Sequence, residues 1–152
     1  MKYETRVEQT SEREIVITRT FNASARIVFE AWTTGELMRR WWVPKSAGIT
    51  LLSCEIDARV GGSYRFVFQA EPEPVAFFGR YLEVSPYTRL VWTNGESGEA
   101  GQLSTLTFEE LGDTTRIVLH ELYPSAEALE AGKGAYDGMS ETFEQLDAVL
   151  AS

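Results

Sequence analysis

The chain has 152 residues, 43% of them hydrophobic, and a formal net charge of −9. This length and apolar content suit one domain with a sizeable core, and we predict a single domain over residues 1–152. The negative charge disfavours nucleic acid and anionic membrane surfaces as partners, and no apolar run approaches the roughly 20 residues that cross a bilayer.

The predicted elements start with a polar segment and a strand. Residues 1–13 are predicted to be a loose N-terminal arm, with the edge of a sheet as the alternative for residues 1–11. Residues of β-branched type dominate positions 15–18, and such residues favour extended structure. We therefore predict the first strand over residues 14–21.

Two short helices are predicted to follow this strand. Asn22 or Ser24 can cap the first helix, over residues 25–33, where apolar side chains recur at helical spacing. The second helix is predicted over residues 34–41. Pro44 limits its extent, because the residue before a proline is disfavoured in the helical conformation.

Six further strands are predicted in the middle of the chain, each bounded by residues typical of turns. Most connections are of hairpin length, so strands adjacent in sequence should pair antiparallel. One connection, over residues 94–101, is rich in glycine and acidic. With the first strand, these runs predict a sheet of about seven strands. The six runs are residues 49–59, 63–69, 75–84, 90–93, 103–109 and 115–122.

The last part of the chain predicts an amphipathic helix. Ser125 can cap it, and the glycines around residues 132–134 predict a kink or break, because glycine destabilises a helix interior. We predict that the helix covers at least residues 135–150, which carry one wide apolar stripe that another element must cover. A curved antiparallel sheet wrapped on this helix, an α+β fold, provides that cover. The stripe comprises Tyr136, Met139, Phe143, Leu146 and Leu150.

The order of these elements resembles the helix-grip fold of the START/birch-pollen-allergen-like superfamily, often called SRPBCC. Particular stretches resemble the branch named after the activator of the Hsp90 ATPase. The resemblance covers residues 14–150 and implies a deep cavity between the sheet and the last helix. The stretches are FEAWT at 29–33, WWVP at 41–44, GGSYRF at 61–66, GRYLEV at 79–84, RLVWT at 89–93, and GMSE at 138–141 with the residues onward to Leu146.

This resemblance frames three possible functions. The co-chaperone that gives the branch its name has a chaperone-contacting domain ahead of its helix-grip domain, whereas about 13 residues precede the first predicted strand here. We therefore predict noncatalytic binding of a small apolar or amphipathic molecule in the cavity. A co-chaperone-like protein-interaction module is one alternative, which a large exposed apolar patch would favour. A small cyclase- or hydrolase-type enzyme is the other, which a buried acid or histidine pair facing the cavity would favour.

Eight residues are predicted to line the cavity. Tyr64 and Phe66 share one strand face by the period of two, and aromatic or methionine linings suit flat or flexible apolar molecules. The same side chains could instead fill a core. Arg39, Arg40 and Lys45 could receive an anionic head group or form a solvated basic edge. The predicted lining residues are Trp41, Tyr64, Phe66, Trp92, His120, Tyr136, Met139 and Phe143.

The chain offers little for catalysis or metal binding. His120, its only histidine, is the one candidate base near neutral pH, but a lone histidine in a strand is more often a structural polar group. With one histidine and one cysteine, Cys54, no conventional zinc site is expected, and we predict no metal or cofactor. Cys54 cannot form an internal disulfide and residues 1–9 are charged rather than apolar, which predicts a cytoplasmic location.

Overall fold

Eight antiparallel strands form one sheet in the computed structural model, which describes residues 3–94 and 101–151. Residues 95–100 of the predicted acidic connection lie outside the described residues. The order across the sheet is β1-β2-β8-β7-β6-β5-β4-β3, so only the β2–β8 pair joins strands distant in sequence. The strands are β1 (Arg6–Ser11), β2 (Glu14–Phe21), β3 (Leu51–Ile56), β4 (Ser63–Phe68), β5 (Val75–Ser85), β6 (Arg89–Asn94), β7 (Gln102–Leu111) and β8 (Thr114–Leu122).

Four α-helices accompany the sheet, two between β2 and β3 and two after β8. Of the two predicted caps for the first helix, Ser24 is the one used, and its side chain accepts a hydrogen bond from the Ile27 amide. The Ser125 hydroxyl likewise accepts from the Ala128 amide at 3.1 Å, as predicted. The helices are α1 (Ala25–Thr33), α2 (Gly35–Met38), α3 (Ala126–Gly132) and α4 (Met139–Ala151), with 3-10 turns at Lys45–Ala47 and Lys133–Gly138.

The predicted α+β helix-grip fold is confirmed, with eight strands in place of about seven. The additional strand is β1, so the prediction of a loose N-terminal arm is wrong and the edge position is correct. β1 pairs with β2 in a register that sets Gln9 opposite Ile15. Every side chain of β1 is exposed, so the strand has no buried face and no apolar alternation by which its sequence would show it.

The last helix begins later than predicted. Residues 133–138 form a 3-10 turn, and the α-helical part starts at Met139 rather than at residue 135. The predicted break near residues 132–134 is present, since α3 ends at Gly132. A Cβ at Gly132 would lie 3.2 Å from the Tyr123 ring, so this glycine allows a close approach between the helix end and the chain after β8.

The inner face of the sheet carries two charged residues among its apolar side chains. Alternate residues of β2 and β8 are buried, and Arg19 on β2 and Glu121 on β8 fall on these buried positions. Arg19 pairs with Asp147 of α4 through two hydrogen bonds of 2.9 and 2.5 Å. Its guanidinium also lies 4.8 Å from the centre of the Phe21 ring. This pair joins α4 to the sheet.

Candidate ligand-binding cavity

A cavity of about 450 Å³ lies between the sheet and the segments that cover it. This volume falls within the range of about 300–1,000 Å³ that is typical of small-molecule sites. Its walls come from the inner faces of β4 to β8, the α1–α2 segment, the chain after α2, and the region from the end of α3 to α4. The aromatic lining comprises Trp32, Trp42, Tyr64, Phe66, Phe68, Tyr81, Trp92, Tyr123 and Tyr136.

Most of the residues predicted from the sequence lie at this cavity. Tyr64 and Phe66 of β4 are on its wall, as the period-two argument required. Three more of the predicted residues lie at the cavity, and they come from β6, from the 3-10 turn before α4 and from the first residue of α4. Whether they bind a ligand stays a prediction. The predicted residues that line the cavity are Tyr64, Phe66, Trp92, Tyr136 and Met139.

The prediction that Trp41 lines the cavity is wrong, because this residue belongs to the core. It is fully buried, its indole N–H donates to the Ala31 carbonyl at 3.1 Å, and its ring lies 4.8 Å from that of Trp32. The adjacent Trp42 lines the cavity instead. The sequence gives two consecutive tryptophans, and only the path of the chain after α2 decides which indole faces the open space.

Phe143 is likewise a core residue rather than a cavity residue. It is fully buried, and its ring packs edge-on against Phe21 of β2 at 5.3 Å between centroids. Met139, one helical turn earlier, and the adjacent Thr142 line the cavity. The apolar stripe of α4 therefore serves two purposes along its length, closing the cavity at its start and filling the core beyond.

His120 lies on the outer face of the sheet and not at the cavity. Its Nε2 contacts Glu14 Oε2 on β2 at 2.7 Å, and this hydrogen bond is the main cause that lowers the pKa of Glu14. On β8 the inward set is Ile117, Leu119 and Glu121. The outward set also contains apolar residues, so alternation alone could not identify the inner face. His120 is therefore a structural polar residue, which is the commoner role of a lone histidine in a strand.

Glu121 is the acidic residue at the cavity that sequence reasoning missed. Its side chain lines the cavity, where the Gln102 amide donates to Oε2 at 2.5 Å and the Tyr136 hydroxyl donates to the same oxygen at 3.5 Å. Tyr136 is in turn hydrogen-bonded to Tyr123 at 2.5 Å between hydroxyls. Burial raises the pKa of Glu121 to about 7, although hydrogen bonds from Ser104, Gln102 and Tyr136 oppose this shift. The signal available in the sequence was the alternation along β8, which places Glu121 on the same face as the apolar residues Ile117 and Leu119.

A second polar group lies on the adjoining strands. The Tyr64 hydroxyl donates within this group, lying 3.0 Å from the Thr93 carbonyl and 2.8 Å from Asn94 Oδ1. The Asn94 amide donates to Ser104 Oγ at 2.6 Å. Burial raises the pKa of Tyr64, so its hydroxyl keeps its proton at neutral pH. These groups extend the polar part of the wall from β8 across β7 to β6.

The chain that carries Trp42 is fastened to α4 at the cavity's edge. The Gln145 amide donates to the carbonyls of Trp41 and Val43 at 3.0 and 2.9 Å. In return, the Lys45 amide donates to Gln145 Oε1 at 2.9 Å. One side chain of α4 therefore holds three backbone groups of this segment and fixes the position of Trp42.

Across residues 3–94 and 101–151, no three His, Cys, Asp or Glu side chains come together as a metal site would require. None of the helices in these ranges has the length and apolar character needed to cross a membrane.

A sheet that grips a C-terminal helix over an apolar cavity defines the helix-grip class of domains. Within that class, the chain belongs to the family described as Activator of Hsp90 ATPase homolog 1-like protein, which it matches over residues 22–151. This confirms the resemblance to SRPBCC proteins of that branch. Family membership supports a helix-grip module of the ligand-binding or co-chaperone-like kind.

Solved structures from several bacteria share this fold. A protein of Rhodobacter sphaeroides is 22% identical, with a TM-score of 0.85 over 97% of this chain and 98% of that chain. A Mycobacterium smegmatis protein is 23% identical, with a TM-score of 0.81 over 99% and 98% of the two chains. For a Staphylococcus epidermidis protein the identity is 28%, the TM-score 0.77 and the coverage 99% and 94%. The chain has no significant match among curated proteins.

Proposed function

We propose that the protein binds a small apolar or amphipathic molecule in the cavity without transforming it. The observation that carries this proposal is the cavity of about 450 Å³ with its largely aromatic lining. Aromatic side chains provide a large contact area and require few hydrogen bonds from the bound molecule. Burial of apolar surface contributes about 25 cal/mol per Å², and immobilisation offsets much of it, so we expect micromolar affinity.

Direct binding measurements test this proposal. Three tryptophans, Trp32, Trp42 and Trp92, line the cavity, so a ligand that enters it should quench tryptophan fluorescence. A panel of flat aromatic and fatty molecules would be titrated and also tested for an increase in melting temperature. Met139→Ala removes part of the wall and should weaken binding about tenfold, given the typical loss for a buried methionine side chain.

The matched control is His120→Ala, which changes a half-exposed side chain on the outer face of the sheet. Its affinity for every ligand should equal that of the wild type. Equal losses in both variants, or no binding by any member of the panel, would contradict binding in this cavity.

Acid–base catalysis in the same cavity is a second candidate function, because Glu121 is a buried acid that faces it. A carboxyl whose pKa is about 7 can exchange a proton near neutral pH, and Tyr136 lies within hydrogen-bond range of it. Recovery of every ligand unchanged supports the noncatalytic proposal. Turnover that disappears in Glu121→Gln and persists in His120→Ala would establish the enzyme instead.

The co-chaperone-like alternative depends on exposed apolar surface. Four apolar side chains of β5 are exposed, with Phe77 at 56% the most accessible. Val75 and Phe77 are two residues apart and project from the same face of the sheet, whereas Phe78 projects from the other face. This arrangement divides the apolar surface of β5 between two faces and favours the cavity as the binding site.

A further inference from the structure

We propose that the molecule bound in the cavity carries a basic amine on its apolar body, and that this amine donates a hydrogen bond to the Glu121 carboxyl. The inference rests on the proposed binding function and adds the chemical class of the ligand. Three features of the cavity support it: an unpaired acceptor, the sign of the charge in the wall, and the aromatic lining.

The first feature is the unpaired acceptor. The Glu121 side chain lines the cavity and the residue is 7% exposed. Oε2 accepts hydrogen bonds from Gln102 and Tyr136, whereas Oε1 is buried without a hydrogen bond of normal geometry among the described residues. The Ser104 hydroxyl lies near enough to this carboxyl to lower its pKa. Buried polar atoms are nearly always hydrogen-bonded, and an unpaired one is costly. A donor on a bound molecule would complete the hydrogen bonding of this carboxyl.

The second feature is the sign of the charge. Among the described residues that line the cavity, Glu121 is the only one with an ionisable acid or basic side chain other than tyrosine. Arg39, Arg40 and Lys45, the candidate receptors for an anionic head group, are exposed and are not part of the lining. A buried carboxylate without a protein cation attracts a cationic ligand and repels an anionic one. When Glu121 is ionised, its charge therefore disfavours a fatty-acid-like carboxylate at the polar end of the cavity.

The third feature is the aromatic lining. A cation near the face of an aromatic ring is attracted by the ring's quadrupole, and this attraction is stronger when water is excluded. Tyr64 and Tyr136 belong to the same wall as Glu121, and Trp92 contributes the larger indole ring. Aromatic rings around one buried carboxylate suit a protonated amine better than a neutral alcohol, which gains only the hydrogen bond.

The groups around Glu121 make the amine preference depend on pH. The tyrosines there have raised pKa values, chiefly because they are buried, so they stay neutral between pH 6 and 8. Among the described residues that line the cavity, Glu121 is therefore the one whose side chain changes its charge between pH 6 and 8. The neighbours are Gln102 and Ser104 on β7, Asn94 on β6, Ile15 opposite on β2, and Tyr64, Tyr123 and Tyr136.

Three probes of nearly equal shape test the inference: 2-(aminomethyl)naphthalene, 2-naphthalenemethanol and 2-naphthoate. Their affinities for the wild type and for Glu121→Gln would be measured by calorimetry at pH 8, where the amine is protonated and Glu121 is ionised. The wild type should bind the amine roughly tenfold or more tightly than the alcohol, as expected for a hydrogen bond to a charged group. The carboxylate should bind most weakly, and Glu121→Gln should remove the preference.

The outcomes separate this inference from the proposed function. Equal affinity of all three probes for both proteins would overturn the amine inference while leaving ligand binding intact. Binding of none of them to the wild type would overturn both. Tightest binding of the carboxylate would overturn the assigned sign of charge.

A second measurement uses the wild type alone, so it does not depend on the folding of the variant. The amine-to-alcohol affinity ratio should rise about tenfold between pH 6 and 8 as Glu121 loses its proton. A ratio that stays constant over this range would also overturn the inference.

Discussion

Glu121 affects stability as well as binding, because the folded protein holds its proton more tightly than the unfolded chain does. Burial raises its pKa from 4.5 to about 7. Below pH 4.5 the carboxyl is protonated in both states. As pH rises from 4.5 to 7, only the unfolded state loses the proton, so the free energy of unfolding falls over this window and then levels off.

We therefore predict that Glu121→Gln gains stability relative to the wild type as pH rises. The difference in unfolding free energy between the two proteins should increase by about 3 kcal/mol between pH 4 and 8, because one pKa unit corresponds to about 1.4 kcal/mol. Urea denaturation at several pH values measures this difference directly. Parallel stability curves for the two proteins would contradict the raised pKa of this carboxyl.

At the scale of elements, α4 is held to the sheet by an ion pair that lies partly in the core. The side chain of Arg19 is 1% exposed and that of Asp147 is 37% exposed. The guanidinium depends on this partner, because a buried charge without a counter-charge is strongly destabilising. The contact also fixes the orientation of the helix whose first turn closes the cavity.

Asp147→Asn should lower the free energy of unfolding by about 2–3 kcal/mol, less than for a fully buried pair because Asp147 is partly hydrated. The matched control is Glu109→Gln, which removes the partner of Arg116 in an exposed pair on β7 and β8. Exposed pairs contribute about 0–1 kcal/mol, so this change should be small. Equal effects of the two substitutions in chemical denaturation would show that the Arg19 pair does not hold α4.

At the scale of the whole molecule, the fold depends on the covering of the sheet's inner face. The buried side chains Leu129, Phe143 and Leu146 come from the last two helices and pack in the same core as β2 and β8. The N-terminal edge strand β1, in contrast, has six exposed residues and no buried side chain. The two ends of the chain should therefore differ greatly in their importance for folding.

A chain that ends at Gly134 lacks α4 and should lose cooperative thermal unfolding, because the inner face of the sheet is then exposed to water. A chain without residues 1–11 lacks only β1 and should still melt in one sharp transition. Circular dichroism melts of both truncated proteins test this. A sharp transition in the first would contradict the role of α4 as the cover of the sheet.

The order of elements was predictable because each signal is local. β-Branched runs, turn residues, the Ser24 and Ser125 caps and the stripe on the last helix all act within one element or one connection. These signals led to the helix-grip fold and to the break at Gly132. The edge strand was offered only as the alternative to a loose arm, because none of its side chains is buried. The start of α4 was misplaced because glycine-rich 3-10 and α-helical turns differ little in local sequence.

By itself, the sequence determined the α+β architecture and the aromatic character of the sheet's inner face, since both follow from repeating patterns along the chain. The cavity was implied by the family resemblance, because the same side chains could have filled a core. Only the tertiary structure decided which neighbour faces that cavity: Trp42 rather than Trp41, and Glu121 rather than His120. Both alternating faces of β8 contain apolar residues, so the period of two gives the alternation but not its direction. The direction is set by α4 and the 3-10 turn, which pack on one face of the sheet from distant positions in the chain.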